Sequence, residues 1–174
     1  MGVSKIKIDN LSTNFLADMT PGKGPMNYLN LPTDTPAFKI HMNNDFILTV
    51  ANSYLTIPFD DIVYNNGGGS WSGSPNYYYT VPRDGFYLVA VHVWMFDFPA
   101  GAWGTLRVSK GNRSAVAHEW IYCCDFNIAS VYKLTTGVQV KAWARTTILN
   151  GATGPVVYRK PYNCMSIIFL GNTT

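Results

Sequence analysis

From residue 37 onward, short runs of β-branched and aromatic side chains are separated by turns rich in glycine and proline. The longest run, residues 86–96, is apolar at successive positions, as in a strand that is covered on both faces. In residues 104–116, Leu106 and Val108 alternate with polar neighbours, and residues 110–113 form a turn, which predicts a hairpin. The same signals predict further strands at residues 46–50, 54–57, 77–81, 131–134, 138–144 and 165–170.

Two segments interrupt this pattern. Residues 65–75 are rich in glycine and serine, so we expect a long loop there. Residues 112–136 contain neither glycine nor proline and leave a helix open as an alternative, although Asn127 interrupts its apolar stripe. Short strands spaced by turns favour an all-β fold, a jelly-roll β-sandwich of about ten strands.

Residues 1–36 differ from the rest, because turn signals at 20–25 and 32–36 occur there with little periodicity. We therefore divide the chain into an extended N-terminal arm, residues 1–36, and a head domain, residues 37–174. The arm is expected to act as an anchor on the head, a neighbouring copy or a larger particle.

Composition limits the classes of partner. Of the 174 residues, 47% are apolar, 14% are aromatic and only 13% are charged, about half the charge of an ordinary soluble protein. Many rings and few charges suggest that other chains cover part of the surface. A net charge of +3 is too small to indicate nucleic acid. No apolar run of about 18 residues predicts membrane insertion, and the first residues lack the apolar stretch of a secretory signal, so we expect assembly in the cytoplasm.

No motif indicates catalysis, a metal or a cofactor, so we expect none of them. His118 and Glu119 lack the second histidine of a zinc-protease motif, and Trp71 occupies the centre of Gly69–Gly73 where a nucleophile elbow needs serine. The remaining candidates are more simply read as structural: His41 and His92, the thiols Cys123, Cys124 and Cys164, and the acidic pair Asp60 and Asp61, a weak calcium signal.

Two tryptophans in predicted loops are the candidate contacts. Trp71 lies between glycines and serines, and Trp103 follows Gly101 and Ala102. An indole on a polar loop packs against its own protein or binds something else. We therefore name Trp71 and Trp103 as candidate contacts for a receptor or a glycan, with packing on the core or on a neighbouring subunit as the alternative.

One stretch resembles the globular heads of complement component one, subcomponent q. The resemblance is carried by the spacing of six residues: Phe59, Asn65, Tyr79, Pro82, Gly85 and Tyr87. Trp71 lies one position later than a further aromatic residue of the family pattern. Val89 and Val91 occupy two positions where the family has aromatic residues. Downstream, residues 134–140 are similar to a family hairpin and residues 166–170 to its closing strand.

The resemblance covers residues 37–171 and implies the ten-stranded jelly roll that this family shares with tumour necrosis factor, assembled as a homotrimer. In such a fold, Gly85 would provide backbone freedom for the turn into the central strand. Tyr87 would bury its ring and direct its hydroxyl at a polar partner.

Three functions follow as expectations. The first is a virion structural protein, a trimeric viral or phage fibre, knob or capsid decoration protein. It would sit on the virion surface, contact other virion proteins through residues 1–36, and attach to a host glycan or protein. The alternative is a secreted cytokine-like or lectin-like trimer. The third, a sugar hydrolase, needs a carboxylate pair that does not stand out among ten acidic residues.

Overall fold

The computed structural model describes residues 34–97, 100–111, 113–121, 125–149, 155–157 and 163–172. Within these ranges every regular element is a β-strand, and the strands form two antiparallel sheets that pack as a jelly-roll-like β-sandwich. The predicted all-β sandwich is therefore confirmed. Residues 1–33, most of the predicted arm, lie outside the described residues.

The first sheet has seven strands and is built around one long central strand. Its members are β1 (Ala37–His41), β2 (Phe46–Ile47), β4 (Asp61–Asn66), β7 (Gly85–Phe96), β10 (Asp125–Leu134), β12 (Val156–Val157) and β13 (Cys164–Gly171). Their order is β2-β12-β7-β13-β1-β4, and β10 also pairs with β7.

The second sheet has six strands. Its members are β3 (Leu55–Thr56), β5 (Ser70–Ser72), β6 (Tyr78–Thr80), β8 (Gly104–Lys110), β9 (Arg113–Ile121) and β11 (Gln139–Thr146). Their order is β5-β6-β11-β8-β9, and β3 also pairs with β11.

The core lies between the sheets because side chains alternate along each strand. On β7, Tyr87, Val89 and Val91 point inward and are buried, whereas the intervening residues are half-buried or exposed. The prediction that residues 86–96 are covered on both faces is thus only half right for a single chain. Phe38 on β1 joins the two sheets: its ring centroid lies 4.7 Å from that of Tyr79 on β6.

One alternative and one expectation from the sequence were wrong. The helix considered for residues 112–136 is replaced by β9 and β10, which pair along β8 and β7. The segment 65–75 is not one loop, because β4 continues to Asn66 and β5 begins at Ser70. Gly67 and Gly68, both at positive φ, make the tight turn that takes the chain from the first sheet to the second.

Two other parts of the chain also differ from the prediction: the short strands β2 and β3, and the segment around Gly137. Strands β2 and β3 have only two residues each, and the Leu48 and Ile57 amides continue the same pairings with hydrogen bonds to the Pro155 and Ala142 carbonyls. The residues around Gly137 do not join a hairpin: β10 before them lies in the first sheet and β11 after them in the second. By contrast, β8 and β9 form the predicted hairpin around Gly111.

Candidate functional site

The six residues that carry the family-like spacing lie in and around the core. Phe59, Tyr79 and Tyr87 are fully buried between the sheets. The Tyr87 hydroxyl donates a 2.8 Å hydrogen bond to the Arg83 carbonyl, as expected from its position. The Tyr79 hydroxyl is buried without a hydrogen-bond partner among the described residues, and burial raises its pKa. These rings stabilise the sandwich.

The other three members shape the ends of strands. Asn65 donates a 2.9 Å side-chain hydrogen bond to the Gly69 carbonyl and closes the turn between the sheets. Pro82 is half-buried just before β7. Gly85 is needed for space rather than for turning, since a Cβ there would overlap the Phe169 ring and lie 2.6 Å from the Gly171 carbonyl oxygen.

The two candidate tryptophans differ in their surroundings. Trp71 lies on strand β5 rather than in a loop, and its half-buried ring stacks on Phe38 with centroids 5.5 Å apart. Trp103 is 41% exposed just before β8. Its backbone is held by Thr147, whose Oγ1 accepts from the Trp103 amide at 2.9 Å. Contact with a receptor or glycan stays a prediction for both residues, and Trp103 is the more accessible.

An apolar patch lies on the outer face of the first sheet, beside Lys133, which pairs with Phe86, and Ser166, which pairs with Ala90. Leu88 on β7 pairs directly with Val131 on β10 and with Ile168 on β13, and Ala90 pairs with Ala129. Val131 is 54% exposed and Phe86, one position along the same face of β7, is 42% exposed. We call this surface the apolar face; it consists of Phe86, Leu88, Ala90, Ala129, Val131 and Ile168.

The outer face of the second sheet has the opposite chemistry. The Arg107 guanidinium carbon lies 4.8 Å from the centroid of the Tyr54 ring, and that of Arg145 lies 5.5 Å from the same ring. Arg145 also donates a 3.0 Å hydrogen bond to Asn52 Oδ1. One tyrosine ring therefore holds two guanidinium groups in place.

A third cation lies further along the same face. The Lys141 Nζ is 5.2 Å from the Tyr78 ring centroid and 5.7 Å from that of Trp143. The Trp143 indole N–H donates a 2.7 Å hydrogen bond to Ser109 Oγ, which fixes this ring. We call this surface the basic face; it consists of Tyr54, Tyr78, Arg107, Lys141, Trp143 and Arg145.

The fold also aligns four titratable side chains from four different strands. Cys164 on β13 pairs with His92 on β7 and with His41 on β1, and His41 pairs in turn with Asp61 on β4. Within the described ranges, however, no three histidine, cysteine or acidic side chains are close enough to hold a metal ion. Burial raises the pKa of the Cys164 thiol, partly opposed by Lys39, so this thiol is a poor nucleophile near neutral pH.

Asp60, one of the acidic pair considered for calcium, makes local structural contacts. Asp60 Oδ1 accepts a 2.6 Å hydrogen bond from the Asn43 amide, and Asp60 Oδ2 accepts a 3.4 Å one from Asn44. These bonds tie the start of β4 to the turn after β1.

Part of this geometry can be seen in the sequence and part cannot. The alternation in residues 139–145 places Lys141, Trp143 and Arg145 on one strand face, and this signal is present in the sequence itself. The approach of Tyr54 and Arg107 to that face depends on how distant segments pair, which periodicity does not reveal.

In the part of the chain that the structure describes, no helix has the length and apolarity needed to cross a membrane. The sequence matches no family model and no curated protein.

Proposed function

We propose that the chain is a trimeric structural protein of a virus particle, a fibre head or capsid decoration protein that presents its sandwich to the host surface. The observation that carries this proposal is the apolar face, a patch at the centre of a regular sheet where Phe86, Ala129 and Val131 are exposed in the part of the chain that the structure describes. Monomeric proteins seldom present a contiguous apolar sheet surface to water.

Self-association would remove this patch from water. Each Å² of apolar surface buried contributes about 25 cal/mol, so association that covers large side chains such as Phe86 and Val131 is favourable. The low charge of the whole chain agrees with a surface shared among copies. The choice of three copies, rather than two, rests on the resemblance to complement globular heads.

The particle location rests on the same resemblance and on the turn-rich N-terminal sequence, which we propose as the anchor to other virion proteins. Its boundary is best placed after Thr33. Phe169 donates a 2.9 Å hydrogen bond to the Pro36 carbonyl, and the Gly67 turn packs closely against Thr35 and Pro36. These two residues therefore belong to the sandwich, and a truncation should spare them.

The test uses purified particles and two forms of the protein. Mass spectrometry of particles should detect the chain in many copies. Full-length protein should bind to particles that lack it, and protein without residues 1–33 should stay trimeric but no longer dock. Recovery of the chain in the culture medium and not in particles would contradict the virion proposal and support a secreted trimer instead.

A further inference from the structure

The second sheet carries an excess of positive charge that its own strands do not neutralise. Strands β3, β5, β6, β8 and β11 together contain two arginines and two lysines and no aspartate or glutamate. The remaining strand of this sheet, β9, adds Arg113 and Glu119, which cancel. The first sheet is balanced, with Lys39 and Lys133 against Asp61 and Asp125.

The cations of the basic face form a row with aromatic rings between them. Lys141, Trp143 and Arg145 occupy alternate positions of β11, which places neighbouring members about 7 Å apart along the strand. Arg107 on β8 pairs directly with Trp143. The three charges therefore lie along a flat surface about 13 Å long, which suits an extended ligand better than a small ion.

The rings hold these cations but do not neutralise them. A cation over a ring keeps its full charge and its peripheral N–H groups. Guanidinium groups bind carboxylate and sulfate groups with paired hydrogen bonds, and an ammonium group adds a point charge. The basic face thus provides the chemistry that recognises regularly spaced anions.

We propose that the basic face binds an acidic polysaccharide through its carboxylate or sulfate groups; this deepens the proposed attachment function and rests on it. Single-stranded nucleic acid fits less well, because bases need open ring faces, and the Tyr54 ring already contacts two guanidinium groups. An anionic membrane also fits less well, since none of the exposed large apolar side chains lies on β3, β5, β6, β8 or β11.

The N-terminal segment of the chain is a poor occupant for the same surface. Residues 1–33 contain three lysines and two aspartates, so their net charge has the same sign as that of the basic face. Charge complementarity therefore favours an external polyanion.

The experiment measures binding of the full-length protein to immobilised heparin, which is sulfated, and to polygalacturonate, which is carboxylated. Neutral dextran, poly-dT and anionic phospholipid vesicles serve as comparisons at about 0.15 M salt. We expect binding to at least one of the two acidic polysaccharides, weaker binding at high salt, and none to dextran. Absence of binding to both polysaccharides, or tighter binding to poly-dT or vesicles, would overturn the proposal.

A charge-matched pair of variants locates the site. Arg107→Gln combined with Arg145→Gln should weaken polysaccharide binding about 10-fold or more. The control, Lys39→Gln combined with Lys133→Gln, removes the same net charge from the first sheet and should change binding less than about 2-fold. Equal losses in both would show that overall charge, and not the basic face, is responsible. If the double arginine variant does not fold, Lys141→Gln replaces it, with an expected loss of about 3-fold.

Light scattering on the same samples separates this proposal from the previous one. If the protein is a trimer that docks on particles but binds neither polysaccharide, only the glycan proposal is contradicted. If the protein is a monomer that binds heparin, only the proposed trimeric assembly is contradicted.

Discussion

The two sheets share one core, but their outer faces differ in chemistry. The first sheet presents six apolar side chains along β7, β10 and β13. The second presents three cations interleaved with three aromatic rings. Strand alternation fixes which residues face the core, so the opposite positions are free to be selected for other purposes.

From this difference we propose separate tasks for the two faces. An apolar sheet face is most stable when another chain covers it, whereas cations held over rings are stable in water and available to an anion. The contrast suggests that one sheet builds the assembly and the other faces outward.

The largest expected effect comes from a charge on the apolar face. Val131→Glu should weaken self-association at least about 100-fold, because association would bury a carboxylate without a partner. The protomer should still fold, since this side chain is 54% exposed. Sedimentation at several concentrations measures the change. Val50→Glu is the control: this valine is 47% exposed but is not on the apolar face. An unchanged mass for Val131→Glu would place the interface elsewhere.

The next effect is a loss of folding stability when the Phe38 ring, which packs against a ring of the other sheet, is removed. Phe38→Ala removes the contacts with Trp71 and Tyr79 and should lower the free energy of unfolding by about 3–5 kcal/mol. Phe86→Ala, which alters an outward-facing ring, should cost the isolated protomer about 1 kcal/mol or less. Urea unfolding of monomeric samples, each carrying Val131→Glu, compares the two. Equal losses would contradict the division into core and outer faces.

A smaller effect separates two buried tyrosines, one in each sheet. Tyr79→Phe on β6 should leave stability unchanged or raise it by about 1 kcal/mol, because the hydroxyl is buried and has no hydrogen-bond partner among the described residues. Tyr87→Phe on β7 should lower stability by about 1 kcal/mol, because it removes the bond to the Arg83 carbonyl. Urea midpoints measure both changes. A loss of stability in Tyr79→Phe would mean that its hydroxyl has found a partner.

The smallest effect is a pH dependence at one end of the first sheet. Asp84, just before β7, accepts hydrogen bonds from the Thr136 amide at 2.7 Å and the Thr136 hydroxyl at 2.8 Å, which lower the pKa of its carboxyl group. A lowered pKa in the folded state gives stability that is present above the unfolded pKa and is lost as the pH falls through the folded value. Asp84→Asn should therefore flatten the decline in urea midpoint below about pH 5. If the urea midpoint declines in parallel in the unaltered protein and in Asp84→Asn, the decline is caused by other carboxylates.

The sequence predicted the parts of the fold that depend on local pattern. Alternation of Leu106 and Val108 with polar neighbours located β8, and the unbroken apolar run located β7. Single-sequence patterns could not show that Trp71 lies on a strand against Phe38, because that contact joins segments far apart in the chain.

The candidate site was predicted less well, for a related reason. Catalytic motifs are recognised by their spacing along the chain, whereas the basic face is assembled from β11, β8, β6 and the residue before β3. The role of Gly85 was misread similarly: its need for space comes from Phe169, far along the chain, and not from its own turn.

The central claim is that copies of this chain associate in threes through the apolar face. Multi-angle light scattering of the purified full-length protein over a range of dilutions tests it most directly. We expect a particle of three times the 19.3 kDa chain mass. A stable particle of a single chain mass at every concentration would contradict it.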